Sequence, residues 1–200
     1  MWYNAIGTQN RGHIKQQREA ARRGVIKMER MTDKKTRQLT LAALFAALTA
    51  VSTIMIQIPT PTKGYINLGD CLVNLSAWVL GPLYGAAAGG IGSAMADVIT
   101  GYFIYAPATF VIKALMGVAS YYVYKALSRH SKTMVSRIAA AGAAELVMTL
   151  GYMVYEAIIY HSPSIFITNI PGSIAQGIMG IIGSVAVYEL LLKHIPGIAR

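Results

Sequence analysis

Residues 64–117 read GYINLGDCLVNLSAWVLGPLYGAAAGGIGSAMADVITGYFIYAPATFVIKALMG. Apolar runs in this stretch are broken by single Asp, Asn and Lys residues and by closely spaced glycines. Small residues let helices approach closely in a bilayer, and isolated polar groups within such helices are costly unless they serve a site. The pattern implies helices packed around a polar pocket inside a membrane, and a protein that binds a small polar molecule.

Composition leads to the same class. The 200-residue chain is 54% hydrophobic and only 13% charged, with a mean hydropathy of +0.47. Soluble domains carry about 25% charged residues, so too little charge is present to cover a water-facing surface. The net charge of +10 would suit nucleic acid if it were spread over a folded surface. Instead, residues 1–37 hold ten of the 18 Lys and Arg with three acids, while residues 38–200 hold eight with five acids. A lone Cys71 excludes an intramolecular disulfide and offers no metal-ligand spacing. No secretory signal is evident, since the first long apolar run begins only near Leu39.

A span needs about 20 apolar residues, and shorter or interrupted ones are tolerated inside a bundle. Six segments qualify: Leu39–Ile58, closed by Pro59 and Pro61; Leu68–Leu80, ended by Gly81 and Pro82; Leu83–Thr100; Ile104–Leu127; Val135–Tyr160; and Ile170–Leu192. The second and third are short and are also compatible with a re-entrant pair. The expected fold is all-α, an integral membrane bundle of six transmembrane helices with both termini cytoplasmic. Charge supports this orientation, because basic residues favour cytoplasmic loops. Arg30, Lys34, Lys35, Arg37, Lys125, Arg129, Lys132, Arg137, Lys193 and Arg200 then all lie inside, and only Lys63 lies outside.

Two domains are expected: a basic N-terminal segment over 1–35 and a six-helix substrate-binding domain over 36–200. The segment reads as flexible, as a surface helix or topology anchor, or as a start-site extension preceding Met28 or Met31.

With this orientation most polar residues fall toward the outer ends of their helices. Asn67, Asp70, Asp97, Lys113, Tyr152, Tyr155, Glu156, Asn169 and Gln176 thereby converge on an outward-facing cup. On the fifth span Glu145, Met148, Thr149, Tyr152 and Glu156 recur at steps of three and four and share one face. Such a face accepts hydrogen bonds from a ring substituent while Tyr152 or Trp78 stacks on the ring. Structural alternatives accompany each residue. Lys113 would pair with Asp97 or Glu145; Asp70 would cap a helix start; Asp97 would bond to Thr100 or Tyr102. Candidate substrate-binding residues are therefore Asn67, Asp70, Trp78, Asp97, Lys113, Glu145, Tyr152, Glu156, Asn169 and Gln176.

Gly85, Gly89 and Gly92, with Ala86 and Ser93, have small-xxx-small spacing and read as packing. GAAAGGIG is not a phosphate loop, since no soluble strand precedes it. Ala42, Ala46 and Ala50 form one i, i+4 row on the first span, and Ala43 and Ala47 a second. Either packs within the bundle or docks a separate membrane subunit.

These residues carry a family resemblance. The alanine rows of LTLAALFAALTA, the loop PTPTKGYINLGD, and the run from GPLYGAAAGGIGSAMAD to YAPATFVIKALMG resemble the substrate-capture subunits, or S components, of energy-coupling factor (ECF) vitamin transporters. The resemblance covers about Thr36 to Leu192 and is nearest the riboflavin, hydroxymethylpyrimidine and pyridoxine group. It implies a six-helix protein of the bacterial plasma membrane that binds a vitamin from outside, with the first loop as a lid. It further implies docking of Ala42, Ala46 and Ala50, with Ala43 and Ala47 beside them, on a transmembrane coupling subunit driven by two cytosolic ATPases. The loaded subunit is then expected to topple in the bilayer to release its ligand. No P-loop is present, so ATP hydrolysis would belong to partners. No cofactor, metal or nucleic acid is expected, and no enzymatic activity. The competing class is a membrane enzyme using Asp97, Glu145, Glu156 or His161 as acid and base. No HExxH, GxSxG or GxGD site supports it. A self-sufficient carrier is disfavoured because inverted repeats are not detectable.

Overall fold

The computed structural model describes residues 3–59, 65–161 and 165–194. Among these residues six helices follow one another: α1 (Tyr3–Met55), α2 (Gly69–Leu80), α3 (Pro82–Ile99), α4 (Ala106–Leu127), α5 (Thr133–Tyr160) and α6 (Ile165–Leu190). A single 3-10 turn, Leu192–His194, closes the described chain. The predicted spans two to six match α2 to α6 within a few residues.

Helix α1 begins at Tyr3, well before the apolar run, so the surface-helix alternative for the N-terminal segment agrees with its backbone. The loop after it holds a short antiparallel hairpin, β1 (Gln57–Pro59) with β2 (Tyr65–Asn67), pairing Ile58 with Ile66. The all-α bundle stands, and this three-residue hairpin is a small addition to it: Pro59 and Pro61 end the helix, and extended residues pair beside them. Lys63, expected in this outer loop, lies outside the described residues.

The chain divides into compact units Met1–Thr40 and Leu41–Arg200. In the first, residues 31–37 are exposed, and Thr40 Oγ1 donates to the Thr36 carbonyl at 3.0 Å. The side chains of residues 1–21 and 24–30, on which the expectations for the 1–35 segment chiefly rest, lie outside the described residues.

Within the second unit, α4 packs against α3 and α5, and α2 against α3, α4 and α6. Small residues make this possible. An added Cβ at Gly85 would lie 2.5 Å from the Ala77 Cα and 2.6 Å from the Ser76 carbonyl oxygen, and one at Gly92 would collide with the Ala46 carbonyl oxygen. Backbone therefore meets backbone where α3 crosses α2 and α1, as the small-residue spacing predicted. At the α2–α3 corner Gly81 has φ 87°, a left-handed value that favours glycine, and Pro82 starts the next helix.

The outside of the bundle is apolar and the inside is not. Leu146, Leu150, Val154 and Ile158 form an exposed i, i+4 stripe on α5, and Ile170, Ile174, Ile178 and Ile182 form another on α6. Large exposed stripes of this kind suit lipid rather than water. The segments Met31–Met55, Ala106–Leu127, Thr133–Tyr160 and Asn169–Leu190 are long and apolar enough to cross a membrane, with Gly69–Leu80 a shorter apolar helix among them. Asp70, Asn74, Ser76 and Lys113, in contrast, are fully or almost fully buried.

The two alanine rows part company. Ala50 is buried, Ala42 and Ala46 are half-buried, and Ala46 lies against α3 at Gly92. Ala43 and Ala47 are exposed, beside exposed Leu44, Leu48 and Val51. Ala50 is thus taken up in the bundle, while Ala42 and Ala46 keep part of their surface open on α1.

Candidate functional site

A cavity opens at the end of the bundle that carries the hairpin. Its volume is about 70 Å³. Helix α1 contributes Thr53; β2 contributes Tyr65, Ile66 and Asn67; α3 contributes Ser93 and Asp97. Tyr105, Thr109 and Lys113 come from α4 and the residue preceding it, Met148, Thr149, Tyr152 and Glu156 from α5, and Asn169, Ser173 and Gln176 from α6. Helical spacing explains the convergence: Ser93 and Asp97, Thr109 and Lys113, and Tyr152 and Glu156 are each four apart and so share a face.

Hydrogen bonds tie the hairpin over this cavity. The Tyr65 hydroxyl donates to Asp97 Oδ1, and the Asn67 backbone N–H donates to Gln176 Oε1 at 3.1 Å. Burial, reinforced by the Asp97 charge, pushes the Tyr65 phenol well above its ordinary pKa, so it remains a donor. Tyr65 also meets Tyr102 edge to face, with ring centroids 4.8 Å apart. At the start of α2, Asn67 Oδ1 accepts the Gly69 N–H at 2.8 Å.

Asp70 does not act as the helix cap that its position suggested. It forms a buried ion pair with Lys113, and Gln176 Nε2 donates to its second oxygen at 2.6 Å. Asn67 supplies the oxygen at the helix start, which leaves Asp70 free to turn inward. The expected partners of Lys113, Asp97 or Glu145, are corrected accordingly. The Asp97 carboxylate likewise bonds to Tyr65 across the hairpin rather than to the hydroxyl of Thr100 or Tyr102, because β2 brings the phenol over α3.

On the opposite wall Asn169 Nδ2 donates to Glu156 Oε2 at 2.6 Å, and the Tyr105 hydroxyl lies 3.4 Å from Glu156 Oε1. The hydroxyls of Thr109 and Tyr152 bond at 2.9 Å, and Lys113 Nζ sits 5.7 Å from the Tyr152 ring centroid.

Of the predicted site residues, the cavity brings together Asn67, Asp97, Lys113, Tyr152, Glu156, Asn169 and Gln176. Asp70 and Glu145 stand outside its wall. Asp70 reaches it only through Lys113 and Gln176. Glu145 bonds weakly to Asn74 Nδ2 at 3.4 Å and packs on Gly177 and Gly180. Trp78 is a clear correction. It lies in the last turn of α2, about 12 Å along the helix from Asp70, and packs on Tyr124 and Tyr188 with centroids 6.3 and 6.0 Å away. There Arg137 stacks on Tyr188 at 3.5 Å and bonds to Glu189 at 2.9 Å. The aromatic platform of the cavity is therefore Tyr65, Tyr105 and Tyr152.

Sequence reasoning missed Thr53, Tyr65, Ser93, Tyr105 and Thr109 as wall residues. A search four residues before Asp97 and Lys113 would have found Ser93 and Thr109; nothing local marks Thr53 or Tyr65. Among the described residues, Thr53 Oγ1, Ser93 Oγ and Asp97 Oδ2 are buried without a hydrogen-bond partner. Buried polar atoms ordinarily find one, and all three belong to residues of the cavity wall. His161, a candidate acid–base group, is exposed at the left-handed end of α5, outside the cavity wall.

A family model described as "ECF-type riboflavin transporter, S component" matches residues 33–193. A protein of Pyrococcus woesei, described as an uncharacterized protein in the gap 3' region, is 35% identical over 146 residues, covering 72% of this chain and 95% of that protein. The fold is similar to a solved structure titled "Structure and mechanism of the S component of a bacterial ECF transporter", with a TM-score of 0.59 at 20% identity over 78% of this chain and 96% of that one.

Proposed function

The chain belongs to the family of S components of ECF-type riboflavin transporters, and from that premise we propose that it captures a small heteroaromatic vitamin or precursor at the hairpin end of the bundle. The family is one of multi-pass membrane transport components rather than of enzymes. The observation that carries the reading is the cavity itself: polar groups from α1, β2 and α3 to α6 converge on one space inside a bundle whose outside is apolar.

A pyridoxine-like or hydroxymethylpyrimidine-like compound is the ligand proposed, because carboxylate, amide and hydroxyl groups stand beside Tyr65, Tyr105 and Tyr152. Such walls orient a small ring with several polar substituents. Riboflavin is the second reading, favoured by the description of the family. The hairpin serves as the lid, held by Tyr65 and Asn67. Import requires a transmembrane coupling subunit and two ATPase subunits, since this chain contains no P-loop. The docking face for the coupling subunit is the exposed side of α1 around Ala43 and Ala47.

Titration calorimetry of the purified chain in detergent, with pyridoxine, hydroxymethylpyrimidine, thiamin and riboflavin, tests the reading. Saturable binding of one of the first two is expected. Binding of riboflavin alone would move the assignment to the second reading, and no binding of any would overturn vitamin capture.

A further inference from the structure

Beneath the cavity wall lies a buried polar cluster that ligand capture leaves unused. Asp70 and Asn74 stand one turn apart on α2, Glu145 faces them from α5, and all three are buried. Helix α6 crowds the two acids together. A Cβ added at Gly180 would collide with Glu145 Oε1 and lie 3.1 Å from Asp70 Cβ, so both acids lean on the same glycine. The other polar groups packed here are Lys113 of α4, the Gln176 amide of α6, and the Cys71 thiol of α2, which lies against Gly183.

Two acids around one ammonium leave one negative charge in excess. Such a charge is costly away from water, and two carboxylates sharing one site do not both stay ionised. The hydrogen bonds show which acid is neutral. Asp70 has a donor on each oxygen, Lys113 on Oδ1 and Gln176 on Oδ2. Glu145 has one weak donor, Asn74 Nδ2, at 3.4 Å from Oε1. Among the described residues, Glu145 Oε2 and Asn74 Oδ1 are both buried without a partner. Both atoms are acceptors, so nothing joins them unless one carries a hydrogen. Exchanging the amide nitrogen and oxygen of Asn74 only sets a different acceptor against an acceptor. An amide oxygen does not hold a proton here, whereas a carboxyl group does.

We infer that Glu145 holds a proton on Oε2 and pairs with Asn74 as a carboxylic acid with an amide, Oε2–H donating to Oδ1 and Nδ2–H to Oε1. The cluster is then neutral, and both orphaned atoms are satisfied. Glu145 is a positioning residue. Uncharged, it does not compete for Lys113, so Asp70 keeps both Lys113 and Gln176. Gln176 Oε1 in turn accepts the Asn67 N–H of the hairpin, and Lys113 and Gln176 both line the cavity. Ionised, Glu145 would draw Lys113 away from Asp70 and loosen that chain of contacts. Only this consequence for the ligand rests on the vitamin-capture reading; the proton itself does not.

Infrared spectroscopy of the purified full-length chain in detergent at neutral pH, with glutamate isotopically labelled in its side-chain carboxyl, reads the proton directly. A protonated-glutamate C=O band is expected in the unaltered protein and is expected to vanish in Glu145→Gln. Calorimetry with pyridoxine reads the consequence. Glu145→Ala strands Asn74 and should weaken binding by about tenfold, while the conservative Glu145→Gln, whose amide can donate to Asn74 Oδ1, should return it to within about threefold of the unaltered protein. Absence of the band overturns the inference, and so does a band that survives Glu145→Gln. A folded Glu145→Gln protein that binds as weakly as Glu145→Ala also overturns it. If Glu145→Gln does not fold, Glu156→Gln decides, because the band must persist once that other buried glutamate is gone. A band present as expected, in a protein that binds no pyridoxine, supports the proton and counts against pyridoxine as the ligand.

Discussion

Lys113 is the residue on which the interior depends most. An ammonium buried in the middle of α4 is tolerable only because Asp70 meets it and Gln176 holds the second Asp70 oxygen. Removing one member of such a pair strands the other and typically costs about 3–5 kcal/mol, whereas replacing both with apolar or neutral groups is far milder. Lys113→Met is therefore expected to lower the melting temperature in detergent sharply, and Asp70→Asn combined with Lys113→Met to recover most of the loss. A double variant no more stable than the single one would show that the pair is not the source of the penalty. The identity of the pair was hidden in the sequence. Lys113 was recognisable as an intramembrane cation, but Asp70 sits beside a glycine at a helix start and reads equally well as a cap. Only the placement of Asn67 at that start releases it.

Among the elements, α3 governs the packing. Its glycines set the distance to α1 and α2, and Gly92 leaves no room for a Cβ against the Ala46 carbonyl and the Thr49 side chain. Gly92→Val is expected to push α1 away from α3 and to abolish or severely weaken folding, by more than the roughly 1–3 kcal/mol of an ordinary overpacked core, because backbone cannot yield as a side chain does. Gly142→Ala on α5 is the matched control: nothing lies within 4 Å of its added Cβ. It should be neutral or stabilise by up to about 1 kcal/mol through helix propensity. Thermal melting of both variants checks the contrast. This element was legible beforehand, since spacing alone marks small residues that permit close approach. Which helix each glycine faces was not, because the partners are far apart in sequence.

For the whole molecule, the exposed side of α1 is the surface on which the proposed assembly depends. Ala47→Trp places a large side chain on that face without entering the bundle, and it should leave vitamin binding intact while reducing co-purification with a coexpressed coupling subunit. Ala46→Leu should act differently, lowering the stability of the isolated chain, because Ala46 lies against α3. Pull-down from membranes and melting in detergent separate the two effects. Unchanged co-purification of the Ala47→Trp protein would place docking elsewhere.

By itself the sequence determined the membrane class, the order and approximate limits of the helices, the close packing of α3, and the end of the bundle where polar residues gather. Each of these is a one-dimensional property, since hydrophobic length, small-residue spacing and the period of a helix are written locally along the chain. Tertiary structure alone decided which polar groups meet. It moved Trp78 out of the site and into the Arg137 cluster, turned Asp70 toward Lys113, brought Tyr65 over Asp97, and buried Ala50 while leaving Ala43 and Ala47 exposed. Those outcomes depend on helix rotation and on contacts between residues tens of positions apart. A shift of one residue turns a helical side chain by about 100°, so small differences in rotation, unreadable from periodicity alone, select the occupants of the cavity wall.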